Sequence, residues 1–225
     1  MERLEKINND FATLFREGQR LLQEGCGDVM NRHREEAFQR FEALGGIPYK
    51  TEDYLYADTL PVFDRDYRVV LKYIKQEVEV GEIFKCHVPN LDTNLILTIN
   101  GWFVQENAMP EIPEGVVICS IAEASVKYKE LFEQRHYNQY TKPADADGLV
   151  ALNTAFAQDG VFVYVPDRVV MERPLQIVNL MRANADLMSF QRNMVILGRD
   201  AKATILVCDH TLSDDSFLSN NTTEV

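Results

Sequence analysis

Cys208-Asp209-His210 is the stretch of this chain richest in groups that could do chemistry. If a strand carries it, side chains alternate between faces and Cys208 and His210 share one. A thiolate and an imidazole are both ligands for a soft metal or an iron–sulfur cluster. Two ligands do not make a site, and no second pair stands near them in the sequence, so a packed cysteine and a turn histidine are the simpler reading. Cys86-His87 is another adjacent pair, but on a strand its members point to opposite faces. Asp145 with Asp147, and Asp214 with Asp215, could act as paired carboxylates. A glycoside-cleaving enzyme needs two such groups at a fixed separation across a groove. Both pairs lie among Gly, Ala or Ser in turn-like segments, and turn chemistry accounts for them. The patterns GxSxG, HExxH, GxxxxGK and GxGxxG are absent. No residue is assigned a catalytic, cofactor-binding or metal-binding role, which favours a scaffold over an enzyme.

Composition narrows the partners. The chain has 225 residues, 46% hydrophobic and 26% charged, with a formal net charge of −12. That suits a soluble globular protein of one large domain or two small ones. Nucleic-acid binding leaves a basic stripe, and none is present. The acidic excess works against anionic membrane surfaces. Tyr49, Tyr54 and Tyr56 could stack on bases, but they stand in an acidic segment, whereas stacking platforms line positive grooves. Packing of the N-terminal helices onto the downstream segments is expected of them instead. The cysteines Cys26, Cys86, Cys119 and Cys208 form no CxxC pair, so free thiols in a reducing compartment are expected. The first residues, MERLEKINND, lack the apolar core of a signal peptide. No apolar run reaches membrane-spanning length. A cytoplasmic protein is expected.

Leu4, Ile7, Phe11, Leu14, Phe15, Leu21 and Leu22 recur at helical spacing and predict an amphipathic helix. GCGD at 25–28 breaks it. A second helix is predicted from about Val29 to Leu44, with Asp28 as N-cap and Gly45-Gly46 as the stop. Beyond that the period shortens. Strands are predicted at about 78–84, Asn94–Asn100, Trp102–Val104 and Val116–Ser120, followed by a helix over Ile121–Tyr137. TKPADADG at 141–148 reads as a connection. After Leu149 the chain reads as mostly strand, with a loop-like start and then Val161–Val165, Leu175–Leu180, Asn193–Leu197, Ala203–Val207 and a strand beginning at Ser216. Pro166-Asp167, Gly198-Arg199-Asp200 and Ser213-Asp214-Asp215 separate them. Few helical residues intervene, so helical crossovers are not expected there. Spacings of about ten to twenty residues give no strict repeat. The last residues, SFLSNNTTEV, stop inside a strand-like run without a closing turn, so the chain reads as truncated or as paired with something at its C-terminus.

Four segments together resemble the SufB/SufD family of iron–sulfur cluster assembly proteins: GGIPYKTEDYLYADTL (45–60), IPEGVVICSIAEA (112–124), LVALNTAFAQDGVFVYVPDRVVMERPLQI (149–177) and RNMVILGRDAKATILVCDH (192–210). The N-terminal helical pattern and the lack of CxxC look more like SufD than SufB. The resemblance implies a fold that is mixed and mainly β. An N-terminal helical and α+β region over 1–148 would be followed over 149–225 by the first rungs of a right-handed parallel β-helix. It implies a non-catalytic scaffold subunit working with SufB-like and SufC-like (ATPase) subunits, where clusters are assembled transiently and the ATPase supplies the free energy. The family's interface residues lie in a later part, so none is carried over here. Two other readings compete. One is a stand-alone β-solenoid interaction module whose open rung pairs with a partner or forms a homodimer. The other is a β-solenoid carbohydrate-active enzyme.

Overall fold

The computed structural model describes residues 2–74, 92–104, 112–133 and 137–225. The predicted strand at 78–84 and the pair Cys86-His87 lie outside them. Helix α1 (Glu2–Gln23) and helix α2 (Asp28–Ala43) form the predicted hairpin. Asp28 is the first helical residue and Gly27 the N-cap, so the carboxylate acts on the helix dipole from inside the first turn. The two helices bury Ile7, Phe11, Phe15 and Leu22 against Ala37, Phe38 and Phe41. Phe15 stacks on Phe38 at 4.1 Å, and Phe11 meets Phe41, Phe63, Phe156 and Phe190 edge-on. A short helix α3 (Leu60–Phe63) brings in Phe63.

Two sheets follow. The first holds β1 (Arg68–Val69), β4 (Val117–Ser120), β5 (Val161–Val165), β7 (Leu187–Leu197) and β9 (Phe217–Glu224). The second holds β2 (Asn94–Ile99), β3 (Trp102–Val104), β6 (Leu175–Met181) and β8 (Ile205–Thr211). Strands β2 and β3 form a hairpin in which Ile99 pairs with Trp102. Its two-residue turn, Asn100-Gly101, has φ of 52° and 86°, the positive values that a two-residue hairpin turn requires.

From β5 onward the chain alternates between the sheets, and β7, β8 and β9 each lie parallel to the strand two before. Phe162 pairs with Met194, Leu175 with Ile205 and Leu187 with Phe217. The partners are therefore 30 to 32 residues apart, a period that the irregular spacing of the sequence does not show. Crossing to the other sheet replaces the helical crossover that a parallel pair otherwise needs. Val161, Val163, Val165 and Val195 of the first sheet pack against Ile96, Leu175 and Ile177 of the second. The opposite face of the first sheet carries Phe162 and Met194, which meet Val29, Met30, Ile121 and Phe132 from the helices.

Three expectations are corrected. Residues Gly148–Phe156 form a helix, α6, where a loop-like start to a strand region was expected. It is buried on nearly every side, so it has no polar face to announce a helical period. Asp147 caps it by accepting from the N–H groups of Leu149 (2.7 Å) and Val150 (2.9 Å). The helix expected over Ile121–Tyr137 is instead two, α4 (Ile121–Lys127) and α5 (Lys129–Glu133), divided at Tyr128, whose ψ of 39° leaves the helical range. Tyr56 does not pack the hairpin, since 99% of its surface is exposed.

Candidate functional site

Strand β8 puts Cys208 and His210 on one face, in register with Val178 and Leu180 of β6. The Cys208 thiol packs with Leu97, Val178 and Leu180 and accepts from Gln176 Nε2 at 3.6 Å. His210 Nε2 has no hydrogen-bond partner. Asp209 points to the other face and accepts from Asn179 Nδ2 (2.8 Å). Among the described residues, no three His, Cys, Asp or Glu side chains converge in a way that could hold a metal ion. Asp147 is engaged as the α6 cap. Burial first, then the Asp147 carboxylate beside it, pushes the Tyr54 hydroxyl up to about 12. Asp214 and Asp215 lie in the turn between β8 and β9.

The space between the sheets holds a polar layer that sequence reasoning missed. Thr98, Asn179, Gln191 and Asn193 are all buried there. Thr98 Oγ1 donates to Asn179 Oδ1 (2.8 Å), and Gln191 Nε2 donates to Asn179 Oδ1 (2.9 Å) and Asn193 Oδ1 (3.0 Å). Asn193 Nδ2 reaches Thr223 Oγ1 (3.2 Å), and its Oδ1 takes the N–H of Val161 (3.0 Å). Buried amides must find partners of the right polarity, so this layer fixes the register in which β2, β6 and β8 face β5, β7 and β9. It ends at Asp209, Asn221 and Thr223, which are exposed.

Asp159 joins three elements. Its carboxylate accepts from Ser120 Oγ (2.6 Å) at the α4 N-cap and from the N–H of Phe103 (2.9 Å) in β3, while its carbonyl takes the N–H of Arg192 (3.0 Å). Burial pushes its carboxyl up to about 6, against the pull of those hydrogen bonds. Next to it, Gly160 has a φ of 150°, and a Cβ there would stand 1.9 Å from the Arg192 carbonyl oxygen.

Arg192 is fully buried and pairs with Glu224 at 2.7 Å. Its guanidinium also donates to Asn153 Oδ1 (3.3 Å), Thr154 Oγ1 (3.2 Å) and Asn138 Oδ1 (2.5 Å), contacts Thr141 Oγ1, and lies 5.1 Å from the centre of the Tyr137 ring. An Arg inside the strand-like run SFQRNMVIL is the one sequence signal for this centre, because a buried charge demands a partner. Burial alone would raise the Glu224 carboxyl, but Arg192 and the surrounding donors outweigh it and hold the group below its ordinary value. Burial also raises the thiols. Cys119 is pushed up to about 12 by burial, then by Glu123 and Asp159. Cys26 is raised by burial against the pull of Arg34, which donates to its sulfur at 3.3 Å.

Strands β8 and β9 end their sheets. Among the described residues each has a hydrogen-bonded neighbour on one side only. Val207, facing the space between the sheets, is 54% exposed. The two edges offer unpaired backbone groups in parallel register, a ready template for further strands. This is the arrangement on the molecule best suited to a protein partner.

The chain is similar to known proteins over part of its length. An iron-sulfur cluster assembly SufBD family protein of Arabidopsis thaliana is 33% identical over 90 residues, which are 40% of this chain and 19% of that protein. Its counterpart in Pyropia yezoensis is 36% identical over 93 residues, 41% of this chain and 18% of that protein. A third, from Synechocystis sp., is 32% identical over 94 residues, 41% of this chain and 19% of that protein. The aligned stretch thus spans about a fifth of the length of these relatives. The family profile described as SufBD protein N-terminal region matches residues 5–177. Such a match takes in most of the described helices and the first strands of both sheets, and the chain belongs to the SufBD family.

Proposed function

We infer that this chain is part of a non-catalytic scaffold subunit in iron–sulfur cluster assembly, closer to SufD than to SufB, and that it acts in the cytoplasm. In this reading residues 1–148 are an N-terminal helical and mixed region, and 149–225 are rungs of a right-handed parallel β-helix. Family membership supports the assembly role, since the related proteins are named for iron–sulfur cluster assembly. The observation that carries the scaffold reading is the pair of edge strands, β8 in one sheet and β9 in the other, each with a hydrogen-bonded neighbour on one side only among the described residues. A stack of strands adds affinity through backbone hydrogen bonds and presents long surfaces to neighbours. The partners are SufB-like and SufC-like subunits, and the SufC-like ATPase supplies the free energy. Iron and sulfide are cargo of the complex.

The same edges favour a second reading, self-association of this chain through an open rung. Anaerobic pull-down under reducing conditions, using the protein with SufB-like and SufC-like subunits from the same cell, separates the two. The scaffold reading expects the protein to retain both subunits. A protein that retains neither refutes it. Dimers of this chain that form with rising concentration, alongside that failure, would leave self-association.

A further inference from the structure

The loop at 137–141 is built around a carboxylate. Glu224 Oε2 accepts from the N–H of Asn138 (3.0 Å) and from Arg192 Nη2 (2.7 Å). Its Oε1 accepts from the N–H of Tyr140 (3.2 Å), the N–H of Thr141 (3.3 Å) and Thr141 Oγ1 (3.0 Å). Asn138 has a φ of 58°, and backbone N–H groups gathered around a left-handed residue form a concave nest for anions. The nest is backed by a guanidinium with no exposure to solvent. A buried charge of that kind requires an anion beside it.

Two further observations point outward from Glu224. First, the centre has more donors than its carboxylate uses: Tyr137 Oη, Asn138 Nδ2 and Arg192 Nε are buried without a hydrogen-bond partner. Second, a pocket of about 320 Å³ adjoins it, lined by Gln139, Tyr140, Ile196, Leu197, Glu224 and Val225 among others. Tyr140 at its rim is 75% exposed. The pocket reaches the centre at Glu224 and Tyr140, on the side of the carboxylate away from Arg192 and the N–H groups of Asn138 and Thr141, which do not line it.

We propose that loop 137–141 and Arg192 form an oxyanion receptor in which Glu224 is the resident and displaceable ligand, and that a carboxylate or phosphate arriving through the adjoining pocket competes with it. Displacement would unhook the end of β9 from the loop while leaving Arg192 paired. The docking of β9, an edge strand, is thereby coupled to an anion. The ligand chemistry is a small oxygen-bearing anion of planar carboxylate or tetrahedral phosphate form, since both match a fork of backbone N–H groups and one guanidinium.

The test is anion rescue of Glu224→Ala, with acetate and inorganic phosphate as separate probes at constant ionic strength set with chloride. The emptied receptor should bind the probe saturably, raising Tm by about 3–6 °C at about tenfold the dissociation constant. Amide resonances of Asn138, Tyr140 and Thr141 should shift with the same midpoint. Wild type, whose own carboxylate competes intramolecularly, should need at least about tenfold more anion. Glu224→Gln keeps the nest filled and should not respond, and Arg192→Met combined with Glu224→Ala should lose the response. If Glu224→Ala is unfolded without anion, recovery of its folded amide spectrum with either probe is the same readout. A response to acetate alone assigns the receptor to carboxylates, and a response to phosphate extends it to phosphoryl groups. Failure of both probes to stabilise or refold Glu224→Ala, or an equal response in wild type, overturns the proposal.

Discussion

Replacing Asp159 by Asn should make the protein more stable at neutral pH and remove part of its pH dependence. The Asp159 carboxyl is pushed from an ordinary value of 3.8 up to about 6 by burial. Its contribution to stability is full below about pH 4, where it is protonated folded and unfolded alike. That contribution is lost as pH rises through about 6, because the unfolded chain ionises freely and the folded one must ionise without water. One pH unit of difference corresponds to about 1.4 kcal/mol, so the loss is on the order of 3 kcal/mol by pH 8. An Asn can keep the geometry, its oxygen accepting from the Phe103 N–H and its amide donating to Ser120 Oγ. The assay is urea unfolding of both proteins at steps from about pH 4 to pH 8, read as the stability of wild type minus that of Asp159→Asn. Glu224, whose depressed carboxyl favours the folded state above its ordinary range and loses that effect in acid, is common to both and cancels. The difference should fall with rising pH, most steeply between about 4 and 6, and level off above about 7. A flat difference, or one that rises, would refute the argument that burial dominates this carboxyl.

Three other outcomes follow from the packing. Asp147→Ala should lose about 1 kcal/mol in chemical unfolding through removal of the α6 cap, and Asp147→Asn should recover most of it. Gly160→Ala should cost at least about 3 kcal/mol, the combined effect of an overpacked contact and a strained backbone; a Tm within a few degrees of wild type would show that the Arg192 strand yields. Cys119, buried and pushed up to about 12, should resist iodoacetamide at pH 8 in the folded protein and react once urea is added, which mass spectrometry of the alkylated peptides would resolve.

The sequence made the strands visible where apolar β-branched residues cluster, as in VFVYV, and made α1 visible through its alternating charges. It hid α6, because Gly148–Phe156 is buried on nearly every side, its Asn153 and Thr154 included, and shows no exposed polar face to mark a helical period. It hid the start of β7 for the opposite reason: Ser189, Gln191 and Asn193 are polar yet point inward, so LMSFQRNMVIL does not alternate as a half-buried strand does. The 30-residue register was hidden because paired positions keep the role and change the residue, with Leu175 beside Ile205, Asn179 beside Asp209 and Asn193 beside Thr223.

The polar centre shows what kind of information a chain withholds. Glu224 and Arg192 are thirty-two positions apart and two strand positions out of direct register, since Glu224 pairs with Met194 and Thr222 with Arg192. Nothing local links them. What links them is cost: a guanidinium with no solvent contact must find an anion, and the loop at 137–141 must find acceptors for three N–H groups that no strand or helix satisfies. One carboxylate answers both demands. The edge strand β9 is therefore held by its backbone ladder to β7 and, near its end, by a charge. The ladder is indifferent to ions in solution, while the charge pair can be competed for. A surface where further strands or a partner would dock is thus tied to the part of the molecule that dissolved anions can reach.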